Sequence, residues 1–267
     1  MGIMNSVIKF TGPLDDVIAY NVRGKIRMRR RPKKVRQTGA TKRAARDFGA
    51  ASHAAAVIRK GVNAEVQLYR DHTFLNRLNK AMVGVVKSDL VRNAGRRQVT
   101  TGNLHALEHF RINQHCGVSC HYTVQRLYDG NLQVTLSNLL SQFNSKVRHM
   151  QFRAFALFPD IERGQCAAAT SEIVTLSFEQ ASDITAFCLT IPVAHNGAAI
   201  VVLEAIACVE DCGKLRHMGY RDYNAADIIA IVPAAKKQTG KPSQPPASNE
   251  SLPPSAPGNT AKGANPG

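Results

Sequence analysis

Seven short runs rich in Val, Ile, Leu, Thr and Phe recur through the second half of the chain, at residues 122–127, 132–136, 148–158, 173–178, 184–193, 198–208 and 225–232. Turn chemistry separates several of them, as at Asp129-Gly130-Asn131 and His195-Asn196-Gly197. Strand-length apolar runs punctuated this way predict an antiparallel, immunoglobulin-like β-sandwich over residues 112–235. With 44% apolar residues, the chain has ample material for a packed core.

The first half has a different character. Between Arg23 and Arg46 stand Arg23, Lys25, Arg27, Arg29, Arg30, Arg31, Lys33, Lys34, Arg36, Lys42, Arg43 and Arg46, with no acid among them. Up to residue 111 the chain carries 23 Lys and Arg against 7 Asp and Glu; beyond it, 12 stand against 12. The whole excess of +16 therefore sits in the N-terminal part. This asymmetry predicts two units, with a polyanion-attracting surface on the first.

Within residues 1–111 the pattern predicts a basic hairpin followed by helices. A β-prone run ends at Val22, Arg23-Gly24 offers a tight turn, and Lys25 to Arg29 follows as a second strand. Strand period puts Lys25, Arg27 and Arg29 on one face and Ile26 and Met28 on the other. Pro32 then removes an amide donor and ends the strand. A plain solvated edge explains part of this charge, but the further cations exceed what edge protection requires.

Residues 41–60 predict a helix capped by Thr41 and stopped by Gly61, with Ala44, Phe48, Ala51, Ala55 and Ile58 on its apolar stripe. Residues 73–88 predict a second, burying Leu75, Leu78, Met82 and Val85. Residues 103–110 predict a third, with Leu104, Leu107 and Phe110 inward. Asn93 to Arg97 reads as a loop. From residue 236 onward Pro, Ser, Gly, Asn and Lys dominate, predicting a disordered tail over 236–267. The expected class is thus α+β: hairpin plus helices, then sandwich, then tail.

Chemistry-bearing groups are sparse. His115-Cys116-Gly117-Val118-Ser119-Cys120-His121 holds ligand types that zinc favours, and Cys208 and Cys212 repeat the spacing of Cys116 and Cys120. These four thiols are the candidate metal ligands. Against them stands the reading as ordinary buried thiols, since neither pair has the usual two-residue gap. No metal or cofactor is therefore assigned. No G-x-S-x-G, P-loop or recognisable Cys-His arrangement occurs, so the chain is expected not to be an enzyme.

No run of about 18 apolar residues predicts a membrane span. Six cysteines without a visible leader fit a reducing, cytoplasmic setting. Two segments, Thr11-Gly12-Pro13-Leu14 through Asp47-Phe48-Gly49 and Tyr223 through Val232, resemble a family of uncharacterised bacterial proteins with a basic N-terminal hairpin and helical region and a β-rich C-terminal domain. That resemblance implies no activity, cofactor or catalytic residue. The expected function is that of a structural or assembly protein. Its basic arm would dock on an acidic protein, and its β-domain would offer surfaces for self-association. The alternative is a sequence-nonspecific nucleic-acid-binding protein.

Overall fold

In the computed structural model the described residues are 2–3, 10–32, 37–67, 72–144, 146–195 and 197–235. The expected disordered tail lies outside them, as do Lys33, Lys34 and Arg36 of the basic stretch.

The N-terminal strands β1 (Gly2–Ile3), β2 (Gly12–Leu14), β3 (Val17–Val22) and β4 (Lys25–Arg30) form an antiparallel sheet in the order β1-β4-β3-β2. The turn between β3 and β4 consists of Arg23 (φ 52°) and Gly24 (φ 77°) alone. Two successive positive φ values make a type I′ turn, whose twist matches that of the strands it joins. Glycine adopts this geometry freely, whereas Arg23 holds it at some steric cost.

Helix α1 (Gly39–Glu65) is longer than the sequence pattern predicts at both ends. Its cap is Thr38, whose hydroxyl accepts from the Thr41 amide at 3.2 Å. Gly61 does not stop it. A Cβ there would stand 2.5 Å from Cys166 Sγ and 3.1 Å from Leu157 Cδ2, so this glycine marks where the helix presses onto a sheet. The buried face runs through Ala51, Ala54, Ala55, Ile58 and Val62, while Phe48 stays 58% exposed.

Helix α2 (Phe74–Lys87) matches expectation closely, with Leu78, Met82 and Val85 buried. Phe74 and Val86 are buried as well, and Leu75 turns outward. The third helix is only Thr101–Leu104 (α3), continued by a 3₁₀ turn at His105–Leu107. A Thr100–Asn103 capping box starts it. It cannot continue to Phe110, because residues 109–112 pair with a strand instead: His109 N donates to Ile228 O at 2.7 Å and Ile112 N to Ala226 O at 2.8 Å.

Two antiparallel sheets make up the rest. The smaller has the order β10-β6-β5, from β5 (His121–Arg126), β6 (Leu132–Ser137) and β10 (Ala186–Ile191). The larger is built on β7 (His149–Asp160) and β11 (Ala199–Asp211), paired side by side. On the outer flank of β7 lie β8 (Gln165–Thr170) and β9 (Val174–Ser177); on that of β11 lie β12 (Lys214–His217) and β13 (Ala225–Val232). The short helix α4 (Phe178–Asp183) links β9 to β10.

Alternation along β7 and β11 divides the interior into two cores. Phe152, Ala154, Ala156, Val201, Leu203 and Ala205 face the smaller sheet. Phe155, Leu157, Ile200 and Val202 face α1 and α2. Burial on both faces explains why these strands read as continuous apolar runs. Residues on both sides of position 111, such as Ile58 and Leu78 before it and Leu157 and Val202 after it, share the core beneath the helices. The β-rich part is antiparallel, as expected, and two of its sheets face each other across a core. Six strands against three, with helices over the far face, nonetheless differ from the four-against-three arrangement of an immunoglobulin domain. No helix among the described residues is long and apolar enough to cross a membrane.

A buried ion pair fixes the end of α1. Glu204, 0% exposed, faces Arg153 across the β11–β7 ladder, and Arg153 Nη2 reaches Glu204 Oε2 at 2.6 Å. The same guanidinium donates to the Glu65 carbonyl, and Glu204 Oε1 accepts from Gln67 N at 2.9 Å. The pair thus ties the last turn of α1 to the sheet beneath it.

Candidate polyanion interface

The register of the β3–β4 hairpin puts Tyr20 opposite Arg27, Val22 opposite Lys25 and Ile18 opposite Arg29. Facing pairs share a side of a sheet, so Lys25, Arg27 and Arg29 form one row with Tyr20 among them. Arg29 lies over the Tyr20 ring, 5.8 Å from its centroid, as a diagonal neighbour should. Ala19 is buried on the opposite side, with Met28 across from it. Arg23, Lys25, Arg29, Arg30 and Arg31 are exposed, and Arg27 is half-buried.

Lys42, Arg43 and Arg46 are exposed in the first turns of α1, where no acid offsets the positive end of the helix dipole. The structure adds cations that the sequence reading passed over. The loop after α2 brings Arg96 and Arg97 to this end of α1: Asp47 Oδ1 accepts from Gly95 N at 2.8 Å, and Arg97 Nη1 lies 3.7 Å from Asp47 Oδ2. Gly95 (φ 88°) sits against Arg43, whose Cα would be 3.0 Å from a Cβ at that position. A loop of the form Gly-Arg-Arg beside a helix start was the available signal.

The four candidate thiols do not assemble. Among the described residues no three His, Cys, Asp or Glu side chains group as metal ligands would. Residues 112–120 form no strand; Cys116 is half-buried and Cys120 buried, while His115 and His121 face solvent. Burial pushes the Cys120 thiol up to about 11 and raises that of Cys116, which disfavours the thiolate a metal or nucleophile needs. Cys208 is buried in β11, whereas Cys212 (φ 52°) is an exposed turn residue before Gly213.

What the 112–120 segment does cover is Asp227, a residue the sequence reading left in a strand without comment. Asp227 is 7% exposed; Oδ2 accepts from Val118 N at 2.9 Å, and Oδ1 has no hydrogen-bond partner among the described residues. Burial pushes its carboxyl up to about 6, against the Val118 bond and the charges of Arg111 and His109. Tyr122 lies in the same region, its hydroxyl 2.9 Å from His109 Nδ1. Comparison with protein-family models, curated proteins and solved structures returned no match.

Proposed function

We propose that this chain is a non-enzymatic structural or assembly protein that docks on an anionic partner through its basic N-terminal hairpin. The observation that carries this is the row Lys25, Arg27, Arg29 on one face of β4, with Tyr20 placed between cations by the hairpin register. A row of cations at every second residue is a linear charge array, suited to a partner that also presents its charges in line. An acidic protein segment is the first such partner. The Arg29–Tyr20 stack favours a second, a nucleic-acid strand, for which an aromatic among cations supplies one stacking platform. Val209 on one face of the β11–β12 hairpin and Leu215 on the other are exposed apolar side chains at which self-association could start.

The test uses the full chain and the variant K25Q/R27Q/R29Q with two probes, poly-glutamate and duplex DNA, at about 50 mM and about 200 mM salt. Wild type binds at the lower salt and releases at the higher, and the variant shows a shallower salt dependence. Preference for poly-glutamate supports the acidic-protein reading, and preference for DNA the second one. Equal affinity of variant and wild type for both probes rejects the hairpin as the docking element.

A further inference from the structure

The loop that follows α2 carries Leu90 and Val91, 92% and 91% exposed, the most exposed aliphatic side chains among the described residues. Adjacent aliphatic residues so fully in solvent are unfavourable unless something covers them. The loop is not slack. The buried Asp89 carboxylate accepts from Val91 N at 3.1 Å, Arg92 N at 3.2 Å and Gln98 N at 3.0 Å, and pairs with Arg92 Nη1 at 3.1 Å. Asp47 fastens the returning limb through Gly95 N and Arg97 N. The tip is therefore held out by a frame built for it.

Where the loop leaves α2 and returns, at Lys87, Ala94 and Arg97, lies a groove of about 630 Å³ whose apolar lining includes Ala44, Phe48, Val83 and Val86. Arg43, Lys87 and Arg97 line the same groove, and Arg92 and Arg96 stand in the loop itself. Asp47 and Asp89, which lie among these cations, are both engaged in the bonds that hold the loop. Asp89 pairs with Arg92 and Asp47 with Arg97, so the surface combines an aliphatic tip, an apolar groove and a cationic excess carried by Arg43, Lys87 and Arg96.

This combination narrows the occupant. A second copy of the same face would set cations against cations, which opposes self-pairing. A nucleic-acid backbone would answer the charge and leave the aliphatic tip and the groove without apolar cover. A partner that is anionic at its surface and hydrocarbon just beneath answers both. We propose that this face docks on an anionic phospholipid bilayer. Arg43, Lys87 and Arg96 meet the headgroup phosphates, and Leu90 and Val91 enter the acyl boundary.

The experiment is co-sedimentation of the full chain with vesicles of phosphatidylcholine alone or of phosphatidylcholine with phosphatidylglycerol. Wild type partitions onto the anionic vesicles and not the neutral ones. The variant L90S/V91S, altered only at solvent-facing positions, loses about tenfold or more of that partitioning. A second variant, K87Q/R96Q, keeps the tip and loses a comparable factor through charge alone. Introducing L90S/V91S into the K25Q/R27Q/R29Q background separates this surface from the hairpin, because the tip-dependent loss persists there. Absence of binding to anionic vesicles, or equal binding by L90S/V91S and wild type, overturns the proposal. So does a tip variant that loses duplex DNA while keeping vesicles, since the tip would then belong to nucleic acid.

Discussion

Replacing Asp227 by Asn removes a charge from a site that disfavours it, and the effect is calculable from the shift. The carboxyl titrates near 6 in the folded chain, against an ordinary value of 3.8. A folded-state value above the unfolded one means that ionisation opposes folding. The residue is neutral in both states at low pH, and stability is lost as pH rises through about 4 to 6. At about 1.4 kcal/mol per pH unit, the loss is roughly 1 kcal/mol at pH 4.5 and roughly 3 kcal/mol at pH 8. In D227N the amide oxygen can still accept from Val118 N, and its NH₂ takes the place of an oxygen that already lacked a partner. Whatever that amide costs is the same at both pH values. The stability difference between D227N and wild type should therefore move in the variant's favour by roughly 2 kcal/mol between pH 4.5 and pH 8. Urea unfolding followed by circular dichroism at the two pH values measures it. A difference independent of pH would refute the account of Asp227 as a buried, poorly solvated carboxyl.

Removing one partner of the buried pair, as in E204Q, leaves the Arg153 guanidinium uncompensated beside Phe155 and should cost about 3–5 kcal/mol in chemical denaturation. G61A should destabilise by about 1–3 kcal/mol despite alanine's helix preference, and C166A should restore part of the loss, because the new methyl collides with Cys166 Sγ. Of the six cysteines, exposed Cys188 and Cys212 should react rapidly with Ellman's reagent in the native protein. Cys120 and Cys166, both pushed up to about 11 by burial, should wait for unfolding. An immediate count of all six thiols under native conditions would contradict that packing.

The strands were the legible part of this chain. Residues 225–232 form β13, the run at 132–136 lies within β6, and that at 198–208 falls in β11 from Ala199 onward, because continuous Val, Ile and Leu are what a doubly covered sheet selects. β8 is not legible in sequence because Cys166, Ala167, Ala168 and Ala169 have no strand character of their own; Cys166 and Ala168 lie on the face that α1 covers, and Ala167 and Ala169 on the other. For the same reason Gly61 reads in sequence as a helix stop. Whether a small residue marks an end or a close approach depends on a neighbour distant in sequence. Leu75 and Phe48 were placed inward by spacing, and the actual partner surface leaves both outside. The basic row of β4 followed directly from strand period and turn chemistry. The tip at Leu90-Val91 did not, since two aliphatic residues in a loop look unremarkable until their exposure is known. Asp227 was equally silent, because nothing local distinguishes a carboxyl under a covering segment from one facing water.

The position of α1 and α2 over β7 and β11 also bears on how the chain is made. Synthesis completes both helices well before residues 149–211 have been translated. Until β7 and β11 emerge, the flank bearing Ala54, Ile58, Leu78 and Met82 has only the other helix and the apolar residues of 104–112 to lie against. The nascent polypeptide therefore passes through an interval with a partly uncovered greasy stripe. Ribosome-bound intermediates truncated before residue 149 should be its most fragile form.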